Sequence, residues 1–251
     1  MGYIQKGVFE GKVAIKTAIV LAGGLGTRLR PFTLRRPKAL IPIRGISLTE
    51  HVIEKLKEAG VKTVYLSVGY LAEKIIDYFD HKDVNVYIKY LIEKKPLGTG
   101  GCLHLISEEQ RKMDFFHDFI VVNGDNLFDL DWDKMHQLHK KKNALITIAL
   151  TKMDDVTAYG VPKLNGNKIL KFVEKPPKED APSNYISGGY YIFSRKVLDI
   201  LPSQEKFMLE HHLFPKIANM KRLYGYKDDG QWFDTGTFEK WENAINNWRV
   251  K

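Results

Sequence analysis

Ala18 to Ala22 is an uninterrupted apolar run, AIVLA, closed by Gly23 and Gly24. A strand with no polar face must be covered on both sides, and that is the signature of a parallel sheet packed between helices. The residues that follow supply those helices. Ser47 to Ala59 places Leu48, Val52, Ile53, Leu56 and Ala59 on one helical face. Ser47 and Glu50 read as a capping box at its start, and Gly60 as its stop. Val61–Val68 and Asn85–Tyr90 read as strands around a helix at Leu71–Phe79. Phe119–Val122 is a second fully apolar strand, ending at Asn123-Gly124-Asp125.

Strand–helix alternation implies right-handed crossovers. The expected fold is therefore α/β, a Rossmann-like, mainly parallel mixed sheet flanked by helices. Ligands of such sheets bind beyond the carboxyl ends of the strands, where Gly23–Arg28 and Gly124-Asp125 both fall. The second half is more mixed: strands at Ala144–Leu150, Lys168–Val173 and Tyr185–Phe193, then helical patterns at Lys196–Leu201, Leu209–Ala218 and Phe238–Trp248. No Pro/Gly/Ser-rich linker or internal repeat divides the chain. Residues 16–251 read as one domain behind an extension at residues 1–15, a short added strand or a mobile segment.

Composition narrows the function. The net charge of +9 favours anionic partners without choosing among nucleic acid, phosphorylated metabolites and membranes. No apolar run approaches a bilayer span, and the start lacks a signal-peptide pattern, so a cytoplasmic protein is expected. The single cysteine, Cys102, excludes an internal disulfide and reads as a small buried hydrophobe. Lys140–Lys142 reads as a solvated helix end, His136 and His139 as a surface pair, and Tyr190, Tyr191 and Phe193 as strand packing.

The loop after the first strand carries the chemistry. Leu21, Gly23, Gly24, Gly26, Thr27 and Arg28 lead into Arg30-Pro31, then Arg36-Pro37-Lys38. Glycines let backbone N–H groups approach a phosphate chain, and the arginines add charge-assisted donors. A dinucleotide fingerprint would need glycine where Leu29 stands, and a P-loop would end in Gly-Lys-Ser/Thr, which is missing.

Gly23 to Pro31 with Pro37-Lys38 resembles the signature of the sugar-1-phosphate nucleotidylyltransferases, G-G-x-G-T-R-L-x-P followed by P-K. Ala39 stands where members often have a second proline. Four further segments resemble the family's elements in the same order. They are Pro96-Leu97-Gly98-Thr99-Gly100-Gly101 (with Gly100 for the commoner alanine), Gly124-Asp125-Asn126, Val173-Glu174-Lys175-Pro176 and Trp232-Phe233-Asp234-Thr235-Gly236-Thr237. The likeness runs from about Lys16 to Trp248.

The resemblance implies a nucleotide-diphospho-sugar transferase fold. It also implies transfer of a nucleotidyl group from a nucleoside triphosphate to a sugar 1-phosphate, with release of pyrophosphate and help from Mg²⁺. By the same resemblance Arg28 holds the departing pyrophosphate, Lys38 the phosphates near the reacting centre, and Lys175 the sugar phosphate. Glu174 accepts from sugar hydroxyls, Asn126 donates to sugar or phosphate, Gly160 and Gly188 let the sugar approach, Gly98 lies near the base where the missing side chain permits close backbone approach, Thr99 lies at the nucleotide, and Asp125 and Asp234 hold the metal. Mg²⁺ suits one or two carboxylates plus phosphate oxygens. No nucleophilic side chain is needed, because the sugar phosphate oxygen is already anionic.

The loop at Pro96–Gly101 and Ser67-Val68-Gly69-Tyr70 resemble guanylyltransferases acting on mannose or heptose 1-phosphate, with uridylyl and thymidylyl transfer kept open. An inactive nucleotide-sugar sensor is the alternative within the family. A nucleic-acid-binding module would show a recognition motif, and none is present. Neither a membrane nor a nucleic acid is expected as partner, while a homo-oligomer is compatible with the sequence. Because the sequence stops soon after the Asp234 motif, the C-terminal repeat domain of many relatives is not expected.

Overall fold

A computed structural model describes residues 15–249. The expectation for residues 1–15 falls almost wholly outside that range; Ile15 itself is buried.

The first apolar run forms β1 (Thr17–Leu21), fully enclosed but for its last residue. It is followed by α1 (Leu48–Glu58), β2 (Thr63–Val68), α2 (Ala72–Asp80) and β3 (Tyr87–Ile92). Then come α3 (Glu108–Met113), β4 (Phe119–Asn123), β5 (Asn126–Phe128), α4 (Trp132–Lys141) and β6 (Ile146–Lys152). The chain ends with β7 (Gly160–Asn165), β8 (Lys168–Glu174), β9 (Tyr185–Phe193), α5 (Phe214–Asn219), β10 (Leu223–Lys227), β11 (Trp232–Asp234) and α6 (Phe238–Asn247).

Nine strands make one sheet in the order β3-β2-β1-β4-β9-β6-β10-β8-β7. The expected mixed α/β sheet is present, and its parallel character is concentrated in the first half. β3, β2, β1 and β4 pair in parallel throughout. β9 then runs antiparallel to both β4 and β6, and only the β6–β10 pair restores the parallel sense in the second half. β5 and β11 form a separate two-stranded ladder with Asp234 opposite Asn126. Aliphatic side chains of β1, β2 and β4 point into both covering layers, which is why those strands read as unbroken apolar runs.

The capping box is realised reciprocally. The Ser47 backbone N–H donates to Glu50 Oε2 at 2.8 Å and the Glu50 N–H donates to Ser47 Oγ at 3.2 Å. Cys102 is buried, as are Tyr190, Tyr191 and Phe193. Lys140–Lys142 is exposed.

Three expectations change. The pattern at Lys196–Leu201 yields only a 3-10 turn, Arg195–Asp199, before Pro202. The helix expected over Leu209–Ala218 splits into a wide π-type turn, Leu209–Leu213, and α5, because Pro215 in the first turn of α5 cannot donate to the preceding turn. The histidines on α4 are not a surface pair. His139 is 2% exposed and shares a hydrogen bond with Thr147 Oγ1 at 2.8 Å. His136 lies against Asp118, with Nε2–Oδ2 at 3.3 Å.

Burial pushes the His139 imidazole down to about 4, against the opposing pull of Asp118. Its folded pKa is thus below the unfolded value. The unfolded chain takes up a proton from about pH 6.5 downward, and the folded chain does not until near pH 4. Stability therefore falls by up to about 3 kcal/mol across that window. Burial opposes a lowered Asp118 pKa, but the His136 hydrogen bond and the His139 and Lys140 charges outweigh it, so its own loss of stability lies at still lower pH. Urea midpoints measured from pH 7 to 4.5 should decline, and His139→Gln should flatten the decline. An unchanged slope in the variant would assign the effect to another group.

Candidate active site

The carboxyl ends of β1 and β4 open onto two adjoining cavities. The glycine loop starts where the Gly124 N–H donates to Leu21 O at 3.0 Å, tying the two strand ends together. Gly26 has φ +60°, and a side chain there would press on Lys38 and Thr33 at 3.1 Å. Thr33 Oγ1 donates to Gly26 O at 2.8 Å, so the loop is folded back over Lys38.

The first cavity, about 390 Å³, is lined by Leu21, Gly23, Gly24, Gly26, Thr27, Arg28, Lys38, Glu93, Gly98, Thr99, Asp125 and Met208, among others. The second, about 440 Å³, is lined by Asn126, Tyr159, Gly160, Glu174, Lys175, Ser187, Glu210 and Asp234 with their neighbours. Arg28, Asn123 and Asp125 line both. A larger cavity of about 560 Å³ lies at the opposite end of the sheet, beside His117, His136 and Arg195, and no motif residue reaches it.

Two carboxylates far apart in sequence are brought together by the β5–β11 ladder. The Thr235 N–H and Oγ1 donate to Asp125 O at 3.2 and 2.7 Å, holding the Asp234 loop against Asp125. Asp125 Oδ2 pairs with Lys38 Nζ at 2.9 Å. Asp234 Oδ2 accepts from Lys240 Nζ at 2.7 Å and from the Tyr159 hydroxyl at 3.2 Å. Burial pushes the Asp234 carboxyl up, but Lys240 and, more weakly, Lys38 outweigh it and hold it below the usual carboxylate range. Among the described residues no cluster of three or more His, Cys, Asp or Glu side chains is poised for a metal. Two carboxylates on one cavity fit a hard divalent ion that takes its remaining oxygens from substrate and water.

The far wall of the second cavity is built by β7, β8 and β9. Glu174 ends β8 and Lys175 follows it, with Lys175 Nζ at 3.4 Å from Glu174 Oε1. Lys175 has φ +49°, an uncommon conformation for a residue with a side chain, fixed by its N–H donating to Tyr159 O at 2.9 Å. Burial, then the charge of Glu210, pushes the Glu174 carboxyl up, while Lys175 partly offsets this. Asn126 Nδ2 donates to Gly188 O at 3.0 Å, and its buried Oδ1 has no partner.

Most of the residues singled out from the sequence meet here. Two of the glycines are small where packing leaves no room, and one of them lies off the cavities. Gly98, at φ +80°, has no room for a side chain because Phe207 O would lie 2.5 Å from its Cβ. Gly188 lines neither cavity: its bare Cα makes room for the Phe128 ring, and its carbonyl also accepts from Trp232 Nε1 at 3.0 Å. Gly100 stands where an alanine methyl would meet Phe207 at 2.1 Å. Sequence reasoning missed Glu93, Glu210 and Lys240. For Lys240 the available signal was Thr237, whose side chain caps α6 and sets Lys240 in the first turn above Asp234.

Arg28 is exposed, and among the described residues no hydrogen bond or ion pair engages its guanidinium. No helix among those residues is long and apolar enough to cross a membrane.

The family model for nucleotidyl transferases matches residues 17–249. The bifunctional protein GlmU of Methanococcus maripaludis is 38% identical over 224 residues, covering 87% of this chain and 51% of that protein. A mannose-1-phosphate guanylyltransferase of Mycobacterium tuberculosis is 33% identical over 226 residues, covering 88% and 61%. The chain thus spans about half to three fifths of these relatives' length. Among solved structures, a UDP-glucose pyrophosphorylase complexed with UDP-glucose superposes with a TM-score of 0.79 at 25% identity, covering 92% of this chain and 97% of that one.

Proposed function

The chain belongs to the nucleotidyl transferase family, and on that premise we propose that it transfers a nucleotidyl group from a nucleoside triphosphate to a sugar 1-phosphate, releasing pyrophosphate. The observation that carries the reading is the pair of cavities meeting at Arg28, Asn123 and Asp125. Two polyanionic substrates need separate berths whose reacting ends touch, and Arg28 stands at that junction with Lys38 on one side and Lys175 on the other.

In this reading the first cavity takes the nucleotide and the second the sugar phosphate. Arg28 binds the departing pyrophosphate and Lys38, held by Asp125, the α-phosphate region. Lys175 binds the phosphate of the sugar, Glu174 accepts from sugar hydroxyls, and Asn126 donates to the sugar or its phosphate. The attacking oxygen is anionic on arrival, so the side chains orient and neutralise rather than abstract a proton. Asp125 and Asp234 are the residues that would hold Mg²⁺, which when bound supplies positive charge to the phosphate oxygens.

We take GTP with mannose or heptose 1-phosphate as the first pair to test. The Mycobacterium relative is named a guanylyltransferase, whereas the solved relative holds UDP-glucose. Pyrophosphate release with Mg²⁺ over five nucleoside triphosphates and a panel of sugar 1-phosphates should be confined to one row and one column. Release in no combination, from folded protein that binds a nucleotide sugar, would favour a sensor.

A further inference from the structure

The two carboxylates assigned to the metal do not stand free. Asp125 Oδ2 pairs with Lys38 Nζ at 2.9 Å. Asp234 Oδ2 accepts from Lys240 Nζ at 2.7 Å and from the Tyr159 hydroxyl at 3.2 Å, and its Oδ1 accepts from the Gly236 N–H at 2.7 Å. Arg28 borders the same loop: a Cβ on Gly236 would lie 2.8 Å from Arg28 Nη2 and 2.9 Å from Asp234 Oδ1. Three cationic side chains therefore accompany these two carboxylates. A divalent ion arriving alone meets no net negative charge on the pair.

The two lysines differ in what they can do next. Lys38 lines the first cavity, so an arriving phosphate can take its ammonium over from Asp125. Lys240 lines neither cavity. Its Nζ also donates to the Tyr159 hydroxyl at 2.7 Å, which ties it to the Asp234 side of the site.

The helix does not account for a lysine at this place. Thr237 caps α6, and Lys240 sits in the first turn. A cation there opposes the helix dipole, and the residue that reciprocates a threonine cap at that position is Glu or Gln. What the lysine meets instead is Asp234, the more enclosed of the two carboxylates at 13% side-chain exposure against 43% for Asp125. A charge held against an enclosed ligand is poorly screened by salt.

We propose that Lys240 is a built-in counter-charge that holds down the metal affinity of Asp234, so that the ion is bound together with the phosphates of the nucleotide and not by the protein alone. The inference rests on the assignment of Asp125 and Asp234 to the metal. Lys240 acts through Asp234 and is a positioning residue. Mn²⁺, which takes the same carboxylate and water oxygens as Mg²⁺, is the probe. Its free aqua ion is followed by electron paramagnetic resonance in titrations of the protein without nucleotide or sugar. Lys240→Gln, which keeps a donor toward Asp234 and loses the charge, should bind Mn²⁺ about 10-fold more tightly than the unaltered protein. Lys240→Arg, which keeps the charge, should bind as the unaltered protein does. Adding Asp234→Asn to Lys240→Gln should abolish the gain. A lysine that served only as a strut would give the opposite sign, because its loss loosens a ligand. The proposal is overturned by equal or weaker Mn²⁺ binding in Lys240→Gln, by the same gain in Lys240→Arg, by a gain that survives Asp234→Asn, or by no Mn²⁺ binding to either protein. Should Lys240→Gln not fold, Lys240→Met, of similar length and without charge, is read in the same direction. A gain in Mn²⁺ affinity with no turnover for any substrate pair would sink the transfer reading and leave the counter-charge standing.

Discussion

Asp125→Asn lowers kcat/KM by about 10²–10⁴, or about 3–5 kcal/mol of transition-state stabilisation. The side chain faces both cavities and holds Lys38 Nζ at 2.9 Å. An amide of the same shape can neither neutralise a hard cation nor hold the ammonium as strongly. The loss is chemical rather than structural. Thr235 binds the Asp125 carbonyl, which the substitution leaves in place. Pyrophosphate release over a range of substrate concentrations together with a melting curve checks both halves. Near-normal turnover by a folded variant would remove Asp125 from the metal and charge role.

Arg28→Gln comes second, with a fall of about 10²–10³ in kcat, the usual loss when one donor aimed at developing charge is removed. Arg28 differs from Asp125 in having no protein partner among the described residues, so the substitution strands nothing buried. The melting temperature should hold steady while the rate falls. A drop in stability without a drop in rate would make the arginine a packing residue of the Gly236 loop, whose Cβ position lies 2.8 Å from its Nη2.

Where local chemistry dictates structure, the sequence was readable. Strands buried on both faces show unbroken apolar runs, and Ser47 with Glu50 can satisfy each other's backbone donors only at a helix start. Trp132, Met135 and His139 share the inner face of α4, and that spacing was a legible sign that His139 is buried; the polarity of the residue obscured it. Pro215 marks where the helix breaks, but the wide turn before it is also held by Thr99, which accepts from the Leu209 N–H at 2.9 Å and donates to Glu210 at 2.6 Å, contacts across 110 and 111 positions that no local pattern carries. The same holds for the site. Motifs named Arg28, Lys38, Asp125, Lys175 and Asp234, but not Glu93 or Lys240, whose parts in the site come from tertiary neighbours.

The ladder of β5 and β11 has a consequence for how the protein fails. Asp125 and the Asp234 loop are joined to each other by three facing residue pairs and the Thr235 bonds, and to the nine-stranded sheet by side-chain hydrogen bonds around Gly188 rather than by ladder pairing. Cooperative units of a protein open at their own free energies, and a short ribbon lies below a central sheet in that hierarchy. The carboxylate pair is therefore a sub-global unit, able to come apart in a breathing motion that leaves β1 and β4 protected from exchange.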